Sequence, residues 1–397
     1  MRCSVYTILL ILIYLAFISL GLPDSLLGSA WPAMHTDIGV PTPYMGIISM
    51  VISGGTIISS LLSDKVTRRF GTAAVTVTSV FLTALALLGF SFSRNMPMLL
   101  LFAVPYGLGA GSIDAALNNY VAVHYTSRHM SWLHCFWGVG TIISPIVMSH
   151  SLTRSGWAAG YRAVGAVQLG IGLILLVTLP IWKIHKDTVA EDTPPVRLRD
   201  ALRIKGVPTL LTGFFAYCAQ EATCMGWAST YMAEEKGFPP EKAAGLGSLF
   251  FIGITAGRFL SGFIMNRLGD RRMIIIGTGI LSAGIVMLCL PGSPVIACAG
   301  FLVIGLGCAP IYPCIIHSTP SNFGADKSGA IIGIQMASAY IGSTFMPPLF
   351  GVLGNALGFG IMPLFIAFFV ILMITMTMHT FAAVGRENSY FPKTKKS

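Results

Sequence analysis

Long apolar runs alternate along this chain with short polar breaks, and each run is long enough to cross about 30 Å of hydrocarbon as a helix. The runs lie near 5–35, 41–63, 72–93, 97–124, 130–152 and 161–183, then near 208–233, 241–265, 273–291, 295–318, 328–350 and 357–382. A transmembrane β-strand would be roughly ten residues of alternating polarity. The pattern therefore predicts an all-α membrane protein with 12 transmembrane helices, each satisfying its own backbone in lipid. Six lie on either side of a charged stretch, Ile184 to Gly206, that contains Pro194 and Pro195. The expected organisation is a six-helix bundle over 1–185, a linker over 186–206 and a second bundle with a short tail over 207–397. The end of the linker, 196–205, reads as a basic amphipathic segment suited to a membrane surface.

The polar breaks recur. SLLSDKVTRR (Ser60 to Arg69) and GFIMNRLGDRR (Gly262 to Arg272) are Arg-rich hinges between apolar runs, 202 residues apart. The same shift pairs Gly55 with Gly257, Gly140 with Gly342 and Pro145 with Pro347, and a shift of 198 pairs Gly107-Leu108-Gly109 with Gly305-Leu306-Gly307. Small residues let helix backbones approach closely where lipid supplies no hydrophobic drive for association. A duplicated bundle needs such contacts at matching places.

Composition and charge narrow the class further. With 54% apolar and 10% charged residues and a mean hydropathy of +0.76, the chain is too apolar for a soluble fold of this length. Of its 25 Lys and Arg, nineteen fall in segments on one side of the predicted membrane and five on the other, with Arg258 inside a run. That bias places both termini in the cytoplasm of a cell whose plasma membrane holds the protein. It also accounts for the net charge of +10 without a nucleic-acid partner; the lipid bilayer is the expected one. The first run spans about 30 residues, beyond the 7–15 of a signal-peptide core, and is expected to stay uncleaved. The eight cysteines are scattered, with no C-x-x-C pair, so neither a metal site nor a cofactor is expected. A phosphate-binding G-x-x-x-x-G-K-[ST] loop is missing, which disfavours an ATP-driven pump.

The hinges resemble the signature of the major facilitator superfamily, G-x-x-x-D-[RK]-x-G-[RK]-[RK]. Asp64, Lys65, Arg68 and Arg69 match it in the first copy, and Gly262, Asn266, Arg267, Gly269, Arg271 and Arg272 in the second. Ser60 and Thr67 stand where glycines are usual, and Asn266 replaces the acid. The resemblance covers all twelve runs and implies two six-helix bundles related by pseudo-two-fold symmetry around a central cavity, working by alternating access. It also implies gating by Asp64, Lys65, Arg68, Arg69, Asn266, Arg267 and Arg271, through pairing with helix ends and acids across the bundle interface. GLPDSLLGSAWP (Gly21 to Pro32), YGLGAGSIDAALNNY (Tyr106 to Tyr120) and WLHCFWGVGTIISP (Trp132 to Pro145) are similar to the fucose permease group. In that group an acid in the first span and one in the fourth are tied to proton coupling and substrate recognition. Asp24 and Asp114 occupy those positions here.

An ionised carboxylate in hydrocarbon is costly, so an intramembrane acid faces water or a partner. Asp24, Asp114 and Glu221 are the acids deep in spans, and all three are proton-coupling candidates. Pro23 removes a backbone donor just before Asp24 and loosens that helix; Asp24 then meets substrate or bonds a neighbouring backbone group. Asn118 and Asn119 follow Asp114 by about one turn, as substrate-binding amides or as parts of an interhelical clamp. His134 is a proton relay or a satisfied histidine, and Trp137 a sugar-stacking face or a packing residue. Gln220, Glu221 and Trp227, with Gln335 and Tyr340, form the expected opposing wall; Glu221 lies roughly 20 Å along its helix from Pro208 at 1.5 Å per residue. Arg258 reads as a structural charge paired at the cytoplasmic side, while Tyr312 and His317 stay unassigned.

The leading function is transport of a small neutral polar solute, sugar or polyol, with H⁺ as coupling ion and a monomer as the working unit. Drug–proton antiport is the alternative, open to a chain with 24 Phe and 19 Met. A membrane enzyme lacks any H-E-x-x-H or nucleophile-elbow motif.

Overall fold

The computed structural model describes residues 2–41, 44–182, 197–238, 240–290 and 294–390, so most of the expected linker lies outside the described residues. These are helical apart from short turns. Helices α1 (Arg2–Asp24), α2 (Leu26–Ile38), α3 (Met45–Phe70), α4 (Thr72–Phe92), α5 (Met96–His124), α6 (Ser127–Arg154), α7 (Trp157–Val177) and α8 (Leu179–Trp182) come from the first half. The second half supplies α9 (Leu198–Ala201), α10 (Val207–Glu234), α11 (Pro240–Leu268), α12 (Asp270–Cys289), α13 (Pro294–Cys308), α14 (Ile311–His317), α15 (Thr319–Phe323), α16 (Ala325–Leu357) and α17 (Met362–Tyr390).

Eleven segments are long and apolar enough to cross a membrane, and α10, where the seventh span is expected, matches them in length. Its lower hydropathy comes from Tyr217, Gln220, Glu221 and Thr223 along its middle. The first span is bent: α1 ends at Asp24 and α2 begins at Leu26, with Pro23 in the last turn of α1. Large apolar side chains point outward, Val177 at 79% exposure and Leu364 at 70%. A soluble protein would not leave such residues in water, but hydrocarbon accepts them.

The residues divide into two compact units. One is Met1–Val121 with Trp132–Pro195, the other Ala122–Ser131 with Val196–Ser397. Within the first, a β-carbon on Gly107 would collide with the Ile52 carbonyl; within the second, one on Gly305 would collide with that of Phe250. These are the same contact moved by 198 residues. A β-carbon on Gly109 would come to 2.8 Å from the Ser79 carbonyl, and one on Gly307 to 2.7 Å from that of Gly277, again 198 apart. The repeat is thus a repeat of backbone approaches, as small residues at lipid-embedded interfaces permit.

The hinges differ from the sequence expectation. Ser60 to Arg69 is helical, and the chain turns only at Gly71, with φ at 81°; the second hinge turns at Gly269, with φ at 77°. Glycine adopts positive φ without steric cost. Gly71 and Gly269 are 198 residues apart, the shift that relates the glycine contacts, so α3 and α11 end at matching places and the shift of 202 does not align the two turns.

Candidate functional site

In the first unit, α1 and α6 touch backbone to backbone: a side chain on Gly21 would strike the Trp137 carbonyl, and one on Gly140 the Ile18 carbonyl. This approach aims Trp137 at the helix break. Its Nε1 donates to Asp24 Oδ2 at 2.8 Å, and the Tyr106 hydroxyl of α5 donates to Asp24 Oδ1 at 3.0 Å. Ser25, next in the chain, donates to the Thr141 carbonyl at 2.7 Å and lies 2.8 Å from Ser144 Oγ, which fixes the break against α6. Asp24 is exposed, its hydrogen bonds come from neutral aromatic donors, and it forms no ion pair among the described residues. Of the two readings of Asp24, the bond to a backbone neighbour gives way to these side-chain bonds.

A second cluster is buried. Asn118 Nδ2 donates to Asp114 Oδ1 at 2.8 Å and to the Asp114 carbonyl at 2.9 Å. His134 Nε2 lies 3.1 Å from Asn118 Oδ1, and because that oxygen only accepts, this nitrogen carries the proton. Phe17 packs edge-on against the imidazole at 5.4 Å. Asp114, Asn118 and His134 are all at or below 5% exposure. Asn118 therefore bridges acid and histidine, with its amide engaged on both sides. Asn119 is half-buried.

The residues expected as an opposing wall lie on α10 and α16, two helices packed against each other in the second unit. Glu221 Oε1 accepts from Arg258 Nη2 at 3.0 Å, with the two side chains 12% and 6% exposed. Arg258, expected to pair at the cytoplasmic side, instead reaches an acid inside the bundle, and Glu221 is the other half of the ion pair. Burial leaves each charge no solvent, so each needs the other. Gln220 and Gln335 are fully buried; Gln220 Nε2 meets Cys308 Sγ at 3.2 Å, and Gln335 Oε1 accepts from Thr319 at 2.9 Å. Trp227 donates to the Pro347 carbonyl at 2.8 Å and stacks on Phe359. Tyr340 is half-buried.

Among the gating candidates, Asp64 pairs with Arg68 at 3.0 Å within α3, one turn apart, rather than across an interface. Lys65, Arg69, Asn266, Arg267 and Arg271 are exposed. Arg69 lies over Phe70 at 5.3 Å and Arg271 over Phe381 at 5.0 Å. Sequence reasoning missed Tyr106 as the partner of Asp24, and it missed Asp270, whose oxygens meet His317 Nδ1 and Ser127 Oγ, each at 2.6 Å. The position of Asp270 directly after the turn glycine was the available signal.

The Major Facilitator Superfamily profile matches residues 13–245 and again 209–396; the chain belongs to that superfamily and is a multi-pass membrane transporter. Among curated relatives it is similar to the 4-hydroxybenzoate transporter PcaK of Acinetobacter baylyi, 23% identical over 82% of each chain. It is also similar to the glucose/mannose transporter GlcP of Bacillus subtilis, 20% identical over 85% of this chain and 86% of that one. Among solved structures, the E. coli fucose:proton symporter FucP superposes with a TM-score of 0.77 at 17% identity, covering 94% of this chain and 99% of that one. At that identity the likeness is one of fold.

Proposed function

We propose that this transporter carries a small neutral polar solute, a sugar or sugar-like polyol, by proton-coupled symport through alternating access of its two helical units. One observation carries the reading: Asp24 is an exposed carboxylate at a helix break in an apolar span, held at both oxygens by neutral donors on Tyr106 and Trp137. Such a group accepts hydrogen bonds from hydroxyls, and the half-buried indole of Trp137 beside it offers an apolar face to a sugar ring's CH groups. Asp114, buried with Asn118 and His134 as its relay, supplies the titrating group. An acid enclosed by protein but reached by water as the site alternates can gain and lose a proton. We place both termini in the cytoplasm on the strength of the Lys and Arg bias, and take the plasma membrane as the setting and a monomer as the working unit.

The relation to PcaK favours a second reading, a small aromatic acid as substrate. A carboxylate substrate beside Asp24 would meet like charge, which disfavours it.

Uptake into proteoliposomes decides between them, using labelled sugars, polyols, 4-hydroxybenzoate and a cationic dye, with pH and Na⁺ gradients imposed separately. The expected result is accumulation of a sugar or polyol driven by the pH gradient alone. Gradient-driven movement of 4-hydroxybenzoate or dye, with none of any polyol or sugar, would overturn the reading.

A further inference from the structure

Tyr161 of α7 is among the largest fully buried side chains, 1% exposed, and its hydroxyl meets no hydrogen-bond partner among the described residues. Buried polar groups are otherwise paired, because an unmade bond leaves the whole cost of desolvation standing. A phenylalanine would fill the same space without that cost. The neighbouring rings make no use of the hydroxyl: Phe90 of α4 lies 5.5 Å from the Tyr161 ring, and Trp157, one turn earlier on α7, meets it edge-on at 6.2 Å. The Trp157 indole is engaged elsewhere, donating from Nε1 to Asp37 Oδ2 at 2.7 Å.

Two helices of the first unit run along α4, and their contacts bring Tyr161 to the level of the Asp24 site. On one side, Gln168 of α7 donates from Nε2 to Thr83 Oγ1 at 2.7 Å, and a β-carbon on Gly165 would come to 3.0 Å from the Leu88 side chain. On the other, a β-carbon on Gly89 would collide with the Phe102 ring of α5, and one on Gly109 would come to 2.8 Å from the Ser79 carbonyl. Phe90 and Gly89 are adjacent, so Tyr161 and Phe102 reach the same end of α4. Tyr106 follows Phe102 by one turn on α5. The two phenols are close enough for charge on one to be felt at the other. Tyr106 is 5% exposed and gives its proton to Asp24 Oδ1 at 3.0 Å, while its oxygen keeps the capacity to accept.

We propose that Tyr161 is a positioning residue for the Asp24 site: its hydroxyl donates through one buried water to the Tyr106 oxygen and so holds the Tyr106 hydroxyl in the orientation that donates to Asp24. The two phenols form no direct bond, and a single water that accepts from one and donates to the other satisfies both. A hydroxyl that accepts a hydrogen bond donates a stronger one. The hold on Oδ1 is thereby stiffened, while Trp137 holds Oδ2 at 2.8 Å. An effect of this kind falls on substrate affinity more than on maximal rate. The proposal rests on the reading of Asp24 as a substrate contact.

Its test uses the full chain, two readouts and a substitution that keeps the ring, Tyr161→Phe. The first readout needs no substrate. With every tyrosine carrying ¹³C at Cζ, the NMR signal of Tyr106, assigned by its loss in Tyr106→Phe, should move in Tyr161→Phe, while that of Tyr120 on the same helix stays in place. The second is uptake of labelled glucose into proteoliposomes. Tyr161→Phe should raise the half-saturation concentration about threefold, less than loss of the direct donor, with the maximal rate within about twofold of the parent. In a Tyr106→Phe background the same substitution should change neither, because the water then has no hydroxyl to act on. A Tyr106 signal that stays in place overturns the proposal, as does the same threefold effect in both backgrounds, which would mark Tyr161 as acting by packing alone. If Asp24→Asn carries glucose with the parent's half-saturation, or the parent carries none, the reading of the site fails, and the Tyr106 signal still decides whether Tyr161 holds it.

Discussion

Asp24 in the first unit and Glu221 in the second are both carboxylates set in apolar spans, yet they are held in opposite ways. Asp24 is exposed and takes its hydrogen bonds from Tyr106 and Trp137; Glu221 is nearly buried and bound to Arg258 at 3.0 Å. A buried ion pair is already compensated, and its removal exposes the cost of the charge left behind. A carboxylate held by neutral donors keeps its charge available to a proton or a ligand. The two units nonetheless share a glycine contact, Gly107 on Ile52 and Gly305 on Phe250. A duplicated scaffold can therefore keep its backbone approaches while each copy gives its acid different work.

The sharpest way to break this contrast is to neutralise one acid in each unit. Asp114→Asn should abolish accumulation driven by a pH gradient while leaving exchange of a transported solute measurable, and Glu221→Gln should leave gradient-driven accumulation in place. If Glu221→Gln abolishes accumulation and Asp114→Asn does not, the coupling role belongs to the ion pair.

Stability should show the reverse ranking. Arg258→Ala leaves Glu221 buried without its partner and should destabilise the protein by about 3–5 kcal/mol, whereas replacing both residues by leucine should recover most of that loss. Thermal unfolding in detergent measures both. A single mutant as stable as the parent would mean that solvent reaches the pair.

Smaller effects test the shared scaffold. Gly107→Ala and Gly305→Ala each force a β-carbon against a carbonyl and should each cost about 1–3 kcal/mol. A clear cost in one unit and none in the other would show that the repeat is sequence resemblance without equal packing.

The smallest expected change is at the site itself. Tyr106→Phe removes one donor from Asp24 in a solvent-reachable place and should weaken substrate affinity by about 1 kcal/mol, roughly fivefold. Affinity equal to the parent would leave Trp137 as the residue that orients the carboxylate.

Much of this was legible beforehand, for reasons that can be named. A span is an unbroken apolar run, and the bend of the first one is marked by Pro23. Asp24, Asp114 and Glu221 stand out because charge in hydrocarbon is rare. Their partners were harder to see: Tyr106 lies 82 residues from Asp24 and Arg258 lies 37 from Glu221. Matching the hinges by a shift of 202 also hid Asp270, because that alignment set Asn266 on the acidic position. The turn glycines, Gly71 and Gly269, align by 198 instead.

The sequence by itself determined the helical class, the membrane setting, the duplication and the short list of intramembrane acids, since all four depend on composition and spacing along the chain. Only the tertiary structure decided which acid is exposed and which is paired, that Asn118 bridges Asp114 and His134, which partners Trp227, Gln220 and Gln335 bond, and that the first turns of α6 belong with the second unit. Those outcomes depend on which helix faces meet. The rotation and depth of one helix against another follow from contacts between residues far apart in the chain, here set by glycines that admit a neighbouring carbonyl.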